Sequence, residues 1–260
     1  MEHEGRARRF FAFAQADACG GPGDRPGVAV GREIALPLSE AHHAAGVLRL
    51  RAGDVVELFD GAGGRARARL ISVRRGAVAA VVETAGPPLA RPLPVIRLAF
   101  AVPKGSRVDW LLEKATELGV ASLSPLALAR SVAGGEALSA AKRRRWQGLC
   151  IAAAKQSGLD FLPTISDLVP LTDFLAGAKD GLGLYGDLSA SAVSVAAAIG
   201  QEGRRAATCY IVVGPEGGLT EAERQALNTA GFAPVRLGSS VLRIETAAIA
   251  LVSAVLALRE

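Results

Sequence analysis

The sequence predicts an α/β protein, a mainly parallel sheet covered by helices, preceded by a small β-barrel domain. Three observations lead there. Strand-like and helix-like segments alternate from residue 95 onward, and such alternation builds a parallel sheet with helices on its faces. Residues 84–94, Thr-Ala-Gly-Pro-Pro-Leu-Ala-Arg-Pro-Leu-Pro, carry four prolines and can form neither a helix nor a central strand. Before them the chain consists mostly of short alternating runs broken by turn residues, the pattern of antiparallel strands with one covered face. The expected division is a β domain at 1–84, a linker at 85–94 and an α/β domain at 95–260.

Composition narrows the class. A chain of 260 residues can bury one large core or two moderate ones. Half of it is apolar, yet Gly, Arg or Ser interrupts every apolar run well short of membrane-spanning length. The first residues, Met1-Glu2-His3-Glu4-Gly5-Arg6, lack the apolar core of a signal peptide. A soluble, cytoplasmic protein is expected, without a membrane partner. Cys19, Cys150 and Cys209 are scattered and lack metal-ligand spacing, which suits reduced, structural thiols. A formal charge of +5 is compatible with a polyanionic partner, although an Arg-rich and Ala-rich composition produces the same excess.

In the β domain, Arg8-Arg9-Phe10-Phe11-Ala12-Phe13 is a basic, aromatic start, and residues 28–36, 54–59, 66–73 and 77–83 read as strands. Asp60-Gly61-Ala62-Gly63-Gly64 and Arg75-Gly76 mark turns between them, so a meander of antiparallel pairs is expected. One helix interrupts at 39–49, with Ser39 as its cap. His42 and His43 lack an acidic or thiol ligand at a useful spacing, so no metal is expected. Arg6, Arg8, Arg9, Arg49 and Arg51 could meet phosphates or could simply be solvated.

In the α/β domain, strands are expected at 95–101, 120–123, 164–166, 181–185, 208–213 and 234–237. Helices are expected at 107–118, 138–157, 189–199, 221–230 and 245–258. Ser106, with Asp109 three residues on, reads as the cap of the first helix, whose apolar residues Val108, Leu111, Leu112, Ala115 and Leu118 share a face before Gly119 ends it. Lys142-Arg143-Arg144-Arg145-Trp146 opens the next as a basic cluster, either a solvated face or a phosphate contact. The last helix is apolar all round, which requires burial in a core or a subunit interface.

The most informative stretch is 208–247. The apolar run Tyr210-Ile211-Val212-Val213 ends in Gly214-Pro215-Glu216-Gly217-Gly218, and Thr220 with Glu223 makes a capping box at the start of a helix. A second turn, Gly238-Ser239-Ser240, follows the next strand. Two glycine-bearing turns thus lie at the ends of consecutive strands, where open α/β sheets bind ligands. No Gly-x-Gly-x-x-Gly follows the first strand of the domain, which argues against a dinucleotide.

Gly214-Pro215-Glu216-Gly217-Gly218 together with Leu237-Gly238-Ser239-Ser240-Val241-Leu242-Arg243-Ile244-Glu245-Thr246-Ala247 resembles the signatures of the bacterial 16S ribosomal RNA uridine-N3 methyltransferases of the SPOUT superfamily. Lys104, Lys114, Glu117-Leu118-Gly119-Val120 and Arg130-Ser131 resemble the family too, and His43, Val47-Leu48-Arg49, Gly53-Asp54 and Asp60-Gly61 resemble its PUA-like RNA-binding domain. Four positions depart from the pattern: Ser240 stands for Arg, Val241 for Ile, Lys155 for an acid and Leu159 for Arg.

The resemblance implies a C-terminal trefoil knot, a homodimer formed around it, and S-adenosylmethionine held in three loops. Those loops would be Leu184-Tyr185-Gly186, Val213-Gly214-Pro215 with Gly217 and Gly218, and Leu237-Gly238-Ser239 with Val241 and Leu242. It also implies 16S rRNA of the small ribosomal subunit as the partner, with Arg8, Arg9, Arg49, Lys104, Arg130, Lys142 and Arg143 as the expected RNA contacts. Uracil N3 is protonated at neutral pH, so the chemistry wants a base near N3 and a cation for charge developing on O2 and O4. Arg243 is the candidate cation, and Glu245 or Glu216 the candidate base. Glu245 could instead serve the helix dipole, and Arg243 could pair with it or bind a phosphate. Two other readings stay open: ribose 2′-O-methylation, and an RNA-binding assembly factor that has lost catalysis.

Overall fold

The computed structural model describes residues 8–12, 29–131 and 138–259. Arg6, Phe13, Cys19 and Val28, which entered the sequence reading, lie outside them. The chain divides into two compact units, Met1–Arg91 with Lys155–Phe161, and Pro92–Ala154 with Leu162–Glu260.

The first unit holds β1 (Arg9–Phe11), β2 (Glu33–Ala35), α1 (Leu38–His42), β3 (Val55–Phe59), β4 (Arg65–Arg74) and β5 (Ala77–Ala85). Its sheet runs β1-β3-β4-β5-β2. The pairs β3/β4 and β4/β5 are antiparallel, as the turn residues predict, and β5/β2 is antiparallel as well. The first strand departs from the expected meander: β1 lies parallel to β3, with Arg9 opposite Glu57. No hairpin joins these two strands, so nothing local sets their direction. Alternation along β4 buries Ala66, Ala68 and Leu70 and exposes Arg65, Arg67 and Arg69, the period of two that a one-sided sheet requires. In the β3–β4 turn the Asp60 carboxylate accepts from the amides of Ala62 (2.7 Å) and Gly64 (2.9 Å), as Asp does in turns.

The helix of this unit differs from expectation at both ends. Pro37, rather than Ser39, occupies the N-cap, and no side chain caps it; the ring's fixed φ suits a helix start. Past His42 the helix widens into a π-helical turn, His43–Val47, and Arg49 adopts a left-handed φ of 52°. Glu40 turns inward to accept from the Phe11 amide.

The second unit follows with β6 (Val95–Ala101), α2 (Arg107–Glu117), β7 (Ser122–Ala127), α3 (Ala140–Ser157, whose last three residues belong to the first unit), β8 (Thr164–Ile165), β9 (Val169–Pro170) and α4 (Leu171–Gly177). It continues with β10 (Leu182–Gly186), β11 (Val193–Ser194), α5 (Val195–Gly203), β12 (Thr208–Val213), α6 (Glu221–Thr229), β13 (Phe232–Arg236) and α7 (Ile244–Ala257). The sheet runs β11-β13-β10-β12-β6-β7-β8, with β9 beside β7, and every pairing in it is parallel. Strands β6 and β12 at its centre are buried through most of their length, which is why they read as near-continuous apolar runs. The apolar α7 packs on β12, β6, α2 and α5.

Ser106 stands at the N-cap of α2 but makes no side-chain cap bond, and Asp109 bonds Arg145 instead. Gly119, at φ +74°, ends the helix region as expected. The helix expected at 189–199 begins only at Val195, because Val193 and Ser194 pair with β13. Cys150 and Cys209 are free and buried, and burial pushes their thiols up to about 11 and about 12.

Candidate functional site

Strands β13, β10 and β12 are neighbours, and the loops after them surround a cleft of ≈ 320 Å³ at the carboxyl edge of the sheet. This is the crevice where parallel sheets place ligands. Its walls are Gly186, Asp187 and Leu188 after β10, residues 213–219 after β12, and Val235, Arg236, Leu237, Ser240, Val241 and Leu242 around the end of β13, with Ala247 and Leu251 of α7 behind.

Two glycines of the central loop have a visible necessity. Gly218 takes φ +72° and donates its amide to the Pro215 carbonyl (2.8 Å), closing a turn that a side chain would strain. A Cβ on Gly214 would lie 3.0 Å from Cγ and Cδ2 of Leu219, which is 3% exposed.

The loop is held from outside. Arg130, just past β7, donates Nη1 to the Gly217 carbonyl at 2.8 Å. Glu223 completes the predicted capping box on α6: its Oε2 accepts from the Thr220 amide (2.7 Å), and Thr220 Oγ1 accepts from the Glu223 amide (3.2 Å). The other oxygen, Oε1, accepts from the Ala129 amide (2.8 Å), so one carboxylate ties the loop after β7 to the loop after β12. Burial alone would raise the Glu223 carboxyl. The bonds from Thr220 and Ala129, aided by the Arg130 charge, overcome that and hold it below its ordinary value. Glu216, on the cleft wall, accepts from Arg107 Nη1 at 3.2 Å, and Arg107 Nε reaches the Lys104 carbonyl at 3.3 Å.

Asp187 is a wall residue that the sequence reading did not single out. Its amide bonds the Val235 carbonyl (2.9 Å), and its Oδ1 accepts from the Leu188 amide (2.9 Å). Its Oδ2 is buried without a partner among the described residues. A buried carboxylate oxygen of this kind asks for a donor.

Of the residues expected to hold a cofactor, Gly186, Val213, Gly214, Pro215, Gly217, Gly218, Leu237, Val241 and Leu242 line the cleft. Leu184 and Tyr185 do not: both are core residues, and the Tyr185 hydroxyl donates to Asn228 Oδ1 (3.0 Å). Gly238 and Ser239 are exposed and stand outside the lining. Ser240, one of the departures from the resemblance, is in it. Of the expected catalytic residues only Glu216 is a wall residue. Arg243 is the exposed N-cap of α7. Glu245 is 7% exposed, with Oε2 buried and unpartnered among the described residues.

The expected RNA contacts separate by environment. Arg8, Arg49, Lys104 and Lys142 are exposed, Arg8 lying 3.8 Å from Asp54 and Lys142 5.1 Å above the Trp146 ring. Arg143 is engaged by Asp167 and by the Ile165 carbonyl, and Arg130 by Gly217. Arg9 is a correction. Its side chain is 8% exposed, stacks on Phe59, and bonds Glu57, Asp160 and the Leu159 carbonyl. Three of its five N–H donors are engaged inside the first unit, and its burial keeps the others from a phosphate in solvent.

The departure at 155 has a structural account in the same unit; the bond made at 159 is from the main chain and would form with any side chain there. Lys155 Nζ lies 2.8 and 3.0 Å from the two oxygens of the buried Glu40 and 5.1 Å from the Phe10 ring, while Leu159 supplies a carbonyl to Arg9. Among the described residues no group of three metal-ligating side chains occurs, and no helix is long and apolar enough to cross a membrane.

Comparisons with known proteins agree with this fold. Residues 91–256 match the RNA methyltransferase domain family, and residues 37–83 match the RNA methyltransferase PUA domain family. The chain is similar to the ribosomal RNA small subunit methyltransferase E of Bacillus subtilis, with 33% identity over 83% of this chain and 86% of that protein. The protein of the same name from Mycobacterium bovis is 34% identical over 83% of each. Among solved structures, the ribosomal RNA small subunit methyltransferase E of Neisseria gonorrhoeae, bound to S-adenosyl methionine, is 29% identical, covers 97% of this chain and 98% of its own, and superposes with a TM-score of 0.80. A methyltransferase from Legionella pneumophila, also with its bound cofactor, gives 27% identity and a TM-score of 0.80 over 97% and 98%.

Proposed function

This chain belongs to the ribosomal RNA small subunit methyltransferase E family, and from that premise we propose that it moves a methyl group from S-adenosylmethionine to N3 of a uridine in 16S rRNA. The observation that carries the reading is the cleft at the ends of β10, β12 and β13. Its fit to the donor rests on features of this chain. Glycine backbone lets a flat base approach closely, aliphatic walls at Leu188, Leu219, Val235, Leu237 and Leu242 cover apolar surface, and Asp187 Oδ2 offers an acceptor for a hydroxyl or ammonium group.

When bound, the donor supplies a methyl group already activated by its cationic sulfur. The protein's share is positioning and management of the uracil proton. Glu216, on the cleft wall, is the better placed base, with Arg107 fixing its orientation. Arg243, exposed at the start of α7, is the cation for charge on O2 and O4. Glu245, buried in the first turn of α7, supports the helix start there.

The same reading covers the setting. The first unit grips RNA through exposed residues such as Arg8 and Arg49, and the second adopts the knotted arrangement that the family resemblance implies. A second copy covers the half-buried apolar residues of α7, among them Ile249, Ala250 and Leu256, and the protein works in the cytoplasm. The non-catalytic alternative loses one of its motives, since the Lys155 side chain has a structural partner in Glu40. The test is transfer of labelled methyl to small ribosomal subunits lacking the modification. Label entering 16S rRNA supports the reading; donor binding without transfer would return the protein to the class of binding factors.

A further inference from the structure

The outer face of the sheet in the first unit carries a feature that the catalytic reading leaves unused. Arg65, Arg67 and Arg69 stand on alternate residues of β4, all exposed. Neighbouring rungs on one strand face repeat at about 6.7 Å. Around the first two lies a recess of ≈ 410 Å³ whose wall includes Val55, Glu57, Arg65, Arg67 and Thr84.

The acids on this face are already engaged. Glu57 accepts from Arg9 at 2.5 Å, and Glu83 accepts from Arg69 at 2.6 Å. Arg67 has only a 3.8 Å approach to Glu83, with its side chain 65% exposed, a separation and exposure that contribute little. Arg65 has no ion pair among the described residues. Arg65 therefore faces the recess without an ion pair among the described residues and Arg67 with only the long approach to Glu83, beside the side chain of Val55.

Resting on the reading of this protein as an enzyme acting on RNA, we propose that this recess is a phosphate-binding subsite for the backbone of the RNA strand, with Arg65 and Arg67 each taking one phosphate. The forked donors of arginine suit phosphate oxygens, and the rung interval suits consecutive phosphates of an extended strand. Val55 offers an apolar contact to a sugar or base edge. The contact is indifferent to sequence; it adds affinity and register rather than choice of nucleotide.

The test is fluorescence anisotropy of a labelled oligouridylate across a salt series, on the full-length protein, for wild type, R65Q/R67Q, R65K/R67K and R204Q/R205Q. The last removes the same charge from an exposed turn of the other unit. Two lost phosphate contacts lower the salt slope of single-strand binding by about 1.4, which is an affinity loss of about 25-fold at about 0.1 M salt. The lysine variant keeps most of that affinity, and R204Q/R205Q stays near wild type. An unchanged slope in R65Q/R67Q overturns the subsite, and so does an equal loss in R204Q/R205Q, which would reduce the effect to net charge. Methyl transfer by wild type, measured alongside, separates these failures from a failure of the enzymatic reading: absence of both RNA binding and transfer would remove that reading and the subsite together.

Discussion

Replacing Arg130 by Ala discriminates between two roles for a residue that stands beside the cleft. As a phosphate contact, Arg130 would affect RNA affinity; as a brace on the loop after β12, it would affect the donor. The geometry favours the brace, because Nη1 lies 2.8 Å from the Gly217 carbonyl and the side chain's Cβ and Cδ lie 3.6 Å from where a Gly217 Cβ would be. A hydrogen bond from a charged donor contributes about 1.5–3 kcal/mol. Arg130 is exposed, which brings the expectation to the low end, about 1.5 kcal/mol, or roughly tenfold in an equilibrium constant. Titration calorimetry of R130A with S-adenosylmethionine should therefore show a Kd about tenfold higher. The KM for RNA should move by less than about twofold, since the change is one contact on the donor side. A donor Kd at the wild-type value, with a raised RNA KM, would refute the brace and restore Arg130 to the RNA surface.

Other perturbations have equally definite outcomes. Lys155→Ala strands the buried Glu40, which among the described residues keeps only the Phe11 amide as a donor; removal of one partner from such a pair costs on the order of 3 kcal/mol. Urea unfolding should register that loss and recover much of it in E40K/K155E; a loss below about 1 kcal/mol would mean the pair is idle. Asp187→Ala should weaken the donor about tenfold, the worth of one charge-assisted bond, with little change in melting temperature; an unaffected donor Kd would assign the orphaned Oδ2 to water. The Glu223 carboxyl is held below its ordinary value in the fold, so its contribution is complete above the unfolded carboxyl pKa near about 4.3 and fades as pH falls through the lower folded value. Thermal unfolding of E223Q should thus trail wild type most at neutral pH and converge with it in acid. A gap that persists undiminished in acid would contradict the linkage.

What could be read from the chain beforehand follows from where each signal resides. Strands β6 and β12 are bounded at Val95–Ala101 and Thr208–Val213, where their apolar runs begin and end, because central parallel strands are buried on both faces. The capping box at Thr220 and Glu223 is local chemistry and was legible for the same reason. By contrast, β11 is two residues long and exists only because β13 lies beside it; a pair of residues has no period to read. Asp187 looked like any polar residue after a strand, and its position depends on the pairing of β10 with β13. Arg9 read as a phosphate contact because its partners, Glu57 and Asp160, are distant in the chain. Ser106 and Asp109 had the spacing of a cap, but Arg145 competes for Asp109.

The most direct measurement is the identity of the product nucleoside. Small subunits lacking the modification would be incubated with labelled S-adenosylmethionine and either wild-type protein or a folded Arg243→Ala variant, and their RNA digested and resolved by mass spectrometry. The account predicts 3-methyluridine with wild type and a loss of at least about tenfold in its formation with the variant, the effect of removing one charge-stabilising donor. A ribose-methylated nucleoside, or full activity without Arg243, would contradict the proposed chemistry of the cleft.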